Sequence, residues 1–206
     1  MIVDKVFLFP LNSSILFKKV TLPFHIFEPR YIQMINDALK YNVPIAIVPI
    51  LSDSSYEETI CVAGHPHIMA THPDGRMDIY ITGSQKCRLL KRESDSPYMS
   101  YSYSEVSEDF ISGDFYEMEL DSFKNLLKRW SLTFLPDKNQ REIFANTLED
   151  PEILINYTTL FLVDNYQDKK SMMMAATKGE KIKILMQAIG PKEISLGPYM
   201  PVLKFK

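Results

Sequence analysis

Thr21-Leu22-Pro23-Phe24-His25-Ile26-Phe27-Glu28-Pro29-Arg30-Tyr31 is an extended apolar run that turns directly into a helix. Pro23 and Pro29 bracket Phe24 to Glu28, and the proline ring pushes the residue before it toward extended geometry. Pro29 suits the first helical position, where the backbone N–H has no partner inside the helix in any case. Tyr31, Met34, Ile35, Ala38 and Leu39 follow at i, i+3, i+4, i+7 and i+8. That spacing is one apolar helix face and predicts a helix over 29–42.

On either side of this stretch the first half of the chain reads as β. Val3 to Phe9 is a short apolar strand stopped by Pro10, and Val20 to Phe27 is a second. Ile45 to Leu51 is almost wholly apolar and of strand length, which suits a strand buried on both faces. Ser52 to Glu58 is polar and loop-like, and Ile60 to Ala70 resumes an extended pattern. His72-Pro73-Asp74-Gly75-Arg76 is a turn, with Asp-Gly as its hairpin signal. Met77 to Thr82 alternates, Cys87 to Lys91 continues the sheet, and Tyr98, Met99, Tyr101 and Tyr103 form a last aromatic strand entered through Pro97. About six strands with one early helix predict a small, partly closed barrel.

After about Val106 the hydrophobic period changes from two to 3.6. Glu108 to Asp114 is polar, contains Gly113 and marks a boundary. Tyr116, Leu120, Phe123, Leu127 and Trp130 form a helical stripe that Pro136-Asp137 breaks. Gln140 to Leu148 is a shorter helix. Asp150-Pro151 reads as an N-cap followed by proline at the first helical position, opening a helix through Val163. Asp168 to Ala176 is another short helix. Thr177-Lys178-Gly179-Glu180 fits a capping box, with Ile182, Leu185, Met186 and Ile189 on one face and Gly190-Pro191 as the stop. The predicted division is therefore 1–110, β with one helix, and 111–206, helical with an extended C-terminal tail.

Composition narrows the function classes. The 206 residues are 46% hydrophobic and 24% charged, ordinary for a globular protein, with a net charge of −3. Residues 1–110 hold ten Lys and Arg against thirteen Asp and Glu, and residues 111–206 hold thirteen of each. Neither half is basic. Non-specific nucleic-acid binding needs clustered Lys and Arg to displace counterions, so no nucleic-acid partner is expected, and Tyr98, Tyr101 and Tyr103 read as strand packing rather than base stacking. Two cysteines make no disulfide scaffold. No run approaches the roughly 20 apolar residues of a membrane span, and Val6 to Leu11 is too short for a signal-peptide core. The expected setting is soluble and cytoplasmic, with no membrane partner.

Three stretches resemble the Lon protease N-terminal domain family. Leu22-Pro23-Phe24-His25-Ile26-Phe27-Glu28-Pro29-Arg30-Tyr31 is similar to the pattern that leads the family's first helix. Val62-Ala63-Gly64, Pro73-Asp74-Gly75, Gly83 and Pro97-Tyr98 are similar to its middle section. Glu149-Asp150-Pro151-Glu152 and the last two helices are similar to its helical second half. The chain departs at one place, where Lys86 stands three residues after Gly83 and an arginine comes only at Arg88. Lysine cannot reproduce a planar bidentate contact. The resemblance implies an α+β protein: a PUA-like small β-barrel subdomain followed by an α-helical bundle. It also implies a stand-alone substrate-binding form that lacks ATPase and protease modules, a non-catalytic module for unfolded or extended polypeptide or an adaptor for a protease or chaperone.

The residues themselves carry little chemistry. There is no Gly-x-x-x-x-Gly-Lys-Ser/Thr phosphate loop and no Gly-x-Ser-x-Gly elbow, so no enzyme is expected. Cys61, His65, His67 and His72 are of ligand types that zinc prefers. No second Cys-x-x-Cys or His-x-x-His completes a tetrahedral set, so no metal and no cofactor are expected. A small metal- or His-dependent enzyme using His65, His67 and His72 and a PUA-like RNA-binding module are the alternatives. Glu28 reads as a helix-start residue favoured by the macrodipole, Arg30 as a partner for backbone carbonyls, and His25 as a strand histidine with one hydrogen bond. Three consecutive methionines cannot all face one core, so one of Met172, Met173 and Met174 should approach the surface. The candidate peptide-binding residues are Phe24, His25, Phe27, Glu28, Arg30, Tyr31, Met172, Met173 and Met174, because adaptable and aromatic side chains suit binding without strict sequence choice.

Overall fold

The structure, a computed structural model, describes residues 4–12, 14–50, 55–110 and 116–193. The expected strand start at Val3, strand end at Leu51, the first part of the polar loop at 52–54, the boundary residues 111–114 and the tail from 194 lie outside the described residues. The chain divides into two compact units between Ser107 and Glu108.

The first unit holds β1 (Lys5–Pro10), β2 (Thr21–Ile26), α1 (Pro29–Tyr41), β3 (Ile45–Val48), β4 (Ile60–Gly64), β5 (Pro66–Thr71), β6 (Met77–Thr82), β7 (Gln85–Ser94) and β8 (Ser100–Glu105). These strands do not make one partly closed barrel. Five of them close a barrel in the order β1-β3-β4-β7-β8, and the other three form a separate sheet in the order β2-β6-β5. β1 and β3 run parallel, which the crossover through β2 and α1 permits, whereas the other barrel neighbours are antiparallel.

Val6, Leu8, Ala46, Val48, Tyr56, Cys61, Ala63, Cys87, Leu89 and Tyr101 fill the barrel. Tyr101 brings a hydroxyl into this core and has it partnered: the Tyr56 N–H and Arg92 Nε both donate to it, at 3.3 and 3.0 Å. β3 is buried at all four positions, as its apolar run requires. The last strand begins at Ser100 rather than Tyr98. The Tyr98 ring packs edge-on against Phe7, and its hydroxyl donates to Asp37 at 2.7 Å, so this side chain is committed to α1 and β1.

Two glycines mark where the chain leaves the barrel and returns to it. The expected single run from Ile60 to Ala70 is broken at Gly64, where β4 ends in the barrel and β5 begins in the side sheet. β6 returns to the barrel through Gly83. A Cβ on Gly64 would collide with the Thr82 carbonyl, and one on Gly83 would collide with the Phe17 carbonyl and sit 2.8 Å from Val62 Cγ1. Gly83 also donates to Val20 O at 3.0 Å and accepts from Lys19 N at 2.7 Å. Only a hydrogen side chain permits these approaches. Gly75 is different: it takes φ 87° in the His72–Arg76 turn with open space around it.

The second unit holds α2 (Glu117–Phe134), α3 (Lys138–Thr147), α4 (Pro151–Leu162), α5 (Tyr166–Met174) and α6 (Lys178–Glu193). The caps follow the sequence. Asp150 accepts from the Glu152 and Ile153 N–H groups at 2.8 and 3.3 Å ahead of Pro151. Thr177 and Glu180 form the reciprocal box, with Glu180 N–H on Thr177 Oγ1 and Thr177 N–H on Glu180 Oε2, both at 3.2 Å. Phe123, Leu127, Trp130, Leu154, Ile155, Ile182, Leu185 and Ile189 are buried. Met186, placed on the same stripe by its spacing, is half exposed, because a stripe wider than the contact surface leaves its margin in water. Tyr116 is the N-cap of α2 rather than part of its stripe. Gly190 leaves helical geometry at φ 57° and ψ 162°, so the helix that opens at Lys178 ends there, as Gly190-Pro191 predicts, and a separate helical turn beyond the kink completes α6 to Glu193. Buried Thr158 and Thr159 donate to the Leu154 and Ile155 carbonyls one turn back, which makes them tolerable in an apolar helix.

Gly83→Ala should cost about 1–3 kcal/mol or more through overpacking against backbone. Gly75→Ala meets only the left-handed penalty of roughly 1–2 kcal/mol. Denaturant melts of both variants check this, and equal losses would show that the Gly83 approach carries no special cost. Glu180 is held below the usual carboxylate range by the Ala176 and Thr177 N–H groups. Its capping contribution is therefore present above its unfolded-state pKa and lost as pH falls through the lower folded value. Glu180→Gln should remove that acid-limb dependence, measured as melting temperature against pH.

Candidate functional site

β2 and β6 alternate cleanly. Leu22, Phe24 and Ile26 point inward with Met77, Ile79 and Ile81, all buried. Phe24 packs on Phe9, and Phe9 on Tyr31. The opposite face carries Thr21, Pro23 and His25 beside Thr82, Tyr80 and Asp78. Across β6 the register places His67 opposite Tyr80, and their rings stack at 4.9 Å. Just past β2, Phe27 is 49% exposed and stacks toward His25. This outer face is therefore aromatic and imidazole-rich, with one carboxylate.

Among the described residues β2 and β5 are the outer strands of the three-stranded sheet, and they differ. Pro23 removes a donor from β2, as edge strands tolerate. β5 reads Pro-His-Ile-Met-Ala-Thr, is exposed from His67 to Thr71 and carries no Asp, Glu, Lys or Arg. Ile68 is 41% and Met69 57% exposed, and the register shifts between Ile68 and Ala70, a bulge at Met69. α1 lies near β5 yet leaves these five residues in solvent. The barrel, being closed, offers no edge for strand addition.

The predicted site residues scatter. Phe24 and Tyr31 are core, as are Met172 and Met173. A fully buried side chain of this size is worth about 1.5–3 kcal/mol, so none of the four is a surface contact. Burial also raises the Tyr31 hydroxyl pKa. Met174 is the exposed methionine of its triplet, at 56%, and belongs to the second unit. Glu28 is the N-cap of α1 with extended backbone, and its carbonyl accepts from Tyr31 and Ile32, while its carboxylate binds no backbone. It pairs with Arg30 at 2.8 Å instead, and Arg30 covers the Tyr31 ring rather than reaching carbonyls.

The Cys61, His65, His67 and His72 grouping does not assemble. Cys61 lies inside the barrel opposite Cys87, and burial drives both thiols up, Cys87 to about 12. His65 sits at the join of β4 and β5, and His67 is stacked on Tyr80. His72 instead meets Asp78, whose carboxylate also meets His25. Lys86 is buried in the barrel wall, and Arg88 pairs with Glu58 at 2.9 Å. Sequence reasoning missed Ile68, Met69, Tyr80 and Asp78. Tyr80 and Asp78 were visible as the minority face of an alternating strand, but nothing local said which strands flank them.

A closed five-stranded barrel with a side sheet and a following set of helices defines a mixed α+β domain. The chain belongs to the ATP-dependent protease La (LON) substrate-binding domain family, whose profile matches residues 5–189. It is 23% identical over 177 residues to the Lon protease of Flavobacterium johnsoniae, covering 80% of this chain and 21% of that protein's length. The fold is shared with the N-terminal domain of Mycobacterium avium complex Lon protease, at TM-score 0.65, 16% identity and coverage of 90% of this chain and 98% of that one. A Lon N-terminal domain protein from Xanthomonas campestris gives TM-score 0.68 and 16% identity, covering 91% of this chain and all of that one. No helix among the described residues is long and apolar enough to cross a membrane.

The buried thiols yield a direct check. Ellman's reagent should find no rapidly reacting cysteine in the native chain and two after denaturation; a fast native thiol would place Cys61 or Cys87 at the surface.

Proposed function

We propose that the chain is a non-catalytic recognition module that captures extended polypeptide along the β5 edge and the outer face of the β2-β6-β5 sheet, and presents it to a protease or chaperone. Membership of a substrate-binding domain family supports the class. The observation that carries the location is β5 itself, an edge strand with five exposed residues and no charged side chain. Proteins ordinarily guard edges with charge, proline, bulges or cover, because unpaired N–H and C=O groups recruit another strand; β5 has Pro66 at its start and a bulge at Met69, but no charge stands along His67 to Thr71. An added strand takes its affinity from main-chain bonds and its selectivity from alternate side chains, and Ile68, Met69 and Phe27 supply an adaptable apolar surround.

The expected affinity is weak. About two or three backbone bonds contribute about 1 kcal/mol each. Burying Ile68 and Met69 adds about 2 kcal/mol each, against at least about 4 kcal/mol for association. That suits transient capture and release. Both cysteines are free and buried, which fits the cytoplasmic setting we propose, and the lack of any basic excess in the first unit opposes RNA as partner.

Binding of a permanently unfolded, fluorescently labelled polypeptide tests this by anisotropy. It should change little between low and moderate salt, unlike phosphate-type contacts. An Ile68→Lys/Met69→Lys double variant should weaken it about tenfold or more, near 1.4 kcal/mol, with Phe27→Ala adding a smaller loss. These side chains are exposed, so the melting temperature should hold. Full binding by the double variant, or collapse of binding with salt, would move the surface elsewhere.

A further inference from the structure

We propose that His25, His72 and Asp78 form a binding site for one divalent transition-metal ion of the zinc class. The three residues come from three backbone segments, namely β2, the turn between β5 and β6, and the second position of β6. His25 stands directly opposite Asp78 in the β2–β6 register. His72 is fixed across its turn by N–H to Arg76 O at 2.8 Å and by accepting from Gly75 N at 2.9 Å. The Asp78 carboxylate accepts from His25 Nδ1 at 2.6 Å on one oxygen and from His72 Nε2 at 2.7 Å on the other. One ligand atom from each residue falls within 4.8 Å of the other two, and the two imidazole centroids are 5.7 Å apart.

Tetrahedral zinc with bonds of about 2.0–2.1 Å holds its ligand atoms about 3.3 Å apart. That spacing asks the cluster for side-chain rotation, and each coordinating ring nitrogen gives up any proton it carries to the other ring nitrogen or to solvent. The backbone is already in place, because antiparallel pairing and a hydrogen-bonded turn hold all three positions. Two imidazole nitrogens and one carboxylate oxygen suit zinc, nickel and copper. Magnesium and calcium demand oxygen-rich sets. All three side chains are between 35% and 40% exposed, so an ion can enter from solvent, and three protein ligands leave a fourth position open. Of His65, His67 and His72 only His72 joins this set, and its partners are His25, 47 residues away in sequence, and Asp78 on β6.

The test uses the full chain, stripped with chelator and titrated with zinc chloride by calorimetry. One ion should bind per chain, the melting temperature should rise with zinc and fall back with EDTA, and magnesium should do neither. His25→Ala, His72→Ala and Asp78→Asn should each weaken binding about tenfold or more, while His65→Ala and His67→Ala leave it unchanged. Imidazole resonances of wild-type protein give a second readout that needs no variant: zinc should shift His25 and His72 and spare His65 and His67. Absence of binding, equal response to magnesium, retention by the His25 and Asp78 variants, or perturbation of His65 and His67 in place of His25 and His72 would each overturn the assignment. Polypeptide binding by the β5 edge is measured separately on zinc-free protein, so the two proposals fail independently.

Discussion

The first unit depends on two places where backbone touches backbone. At Gly64 and Gly83 the chain crosses between barrel and side sheet, and at both points a single Cβ would overlap a carbonyl of another segment. Gly83 is also clasped by the Phe17–Val20 turn through hydrogen bonds in both directions. These contacts let β5 and β6 leave the barrel as a hairpin while β4 and β7 stay paired beneath them, Cys61 opposite Cys87. With side chains at the two crossings, the hairpin could not approach the barrel this closely.

That crossing sets what the surface can offer. Because β5 and β6 are withdrawn, five strands close on themselves and leave no barrel edge, and among the described residues the outer strands are those of the three-stranded sheet. β6 lies in its centre, so one face of the sheet buries Met77, Ile79 and Ile81 while the other sets Asp78 and Tyr80 among His25, His67 and Pro23. Closure of one sheet and openness of the other are two results of the same topology. The apolar β5 edge and the two-histidine carboxylate cluster both exist because the hairpin stands apart.

The second unit is organised differently, by local signals and a buried ion pair. Asp137, Asp150 and Asn165 each cap a helix with a side-chain oxygen. The segment read as a polar boundary is not a free loop where it is described. Glu108 and Lys181 pair at 2.7 Å with almost no exposure, Lys181 also lies over the Phe110 ring, and Asp109 exchanges backbone bonds with Ala176 and Lys178. The start of the unit is thereby strapped to the start of its last helix. Losing one partner of such a pair leaves a buried charge uncompensated, which makes the contact far more sensitive than an exposed pair such as Lys138–Glu142.

Much of this was legible in the residues. Pro29 opening α1, the Asp150-Pro151 and Thr177–Glu180 caps, the buried run at β3 and the alternation of β6 are all local, decided by neighbours within a turn or two of chain. So was the prediction that one of three consecutive methionines must reach water, which Met174 fulfils. Exposure and partnership were not legible, because they are set by register and closure between segments far apart in sequence. Phe24 and Phe27 look alike in the sequence, but strand pleating sends Phe24 into the core, while Phe27 lies just past the strand and stays exposed. His67 and His72 lie five residues apart, but pairing across β6 gives one a tyrosine and the other an aspartate shared with His25. The sequence determined the elements and their caps; only the tertiary structure decided which edge is open and which histidines meet, because those depend on how strands distant in the chain align across a few ångströms.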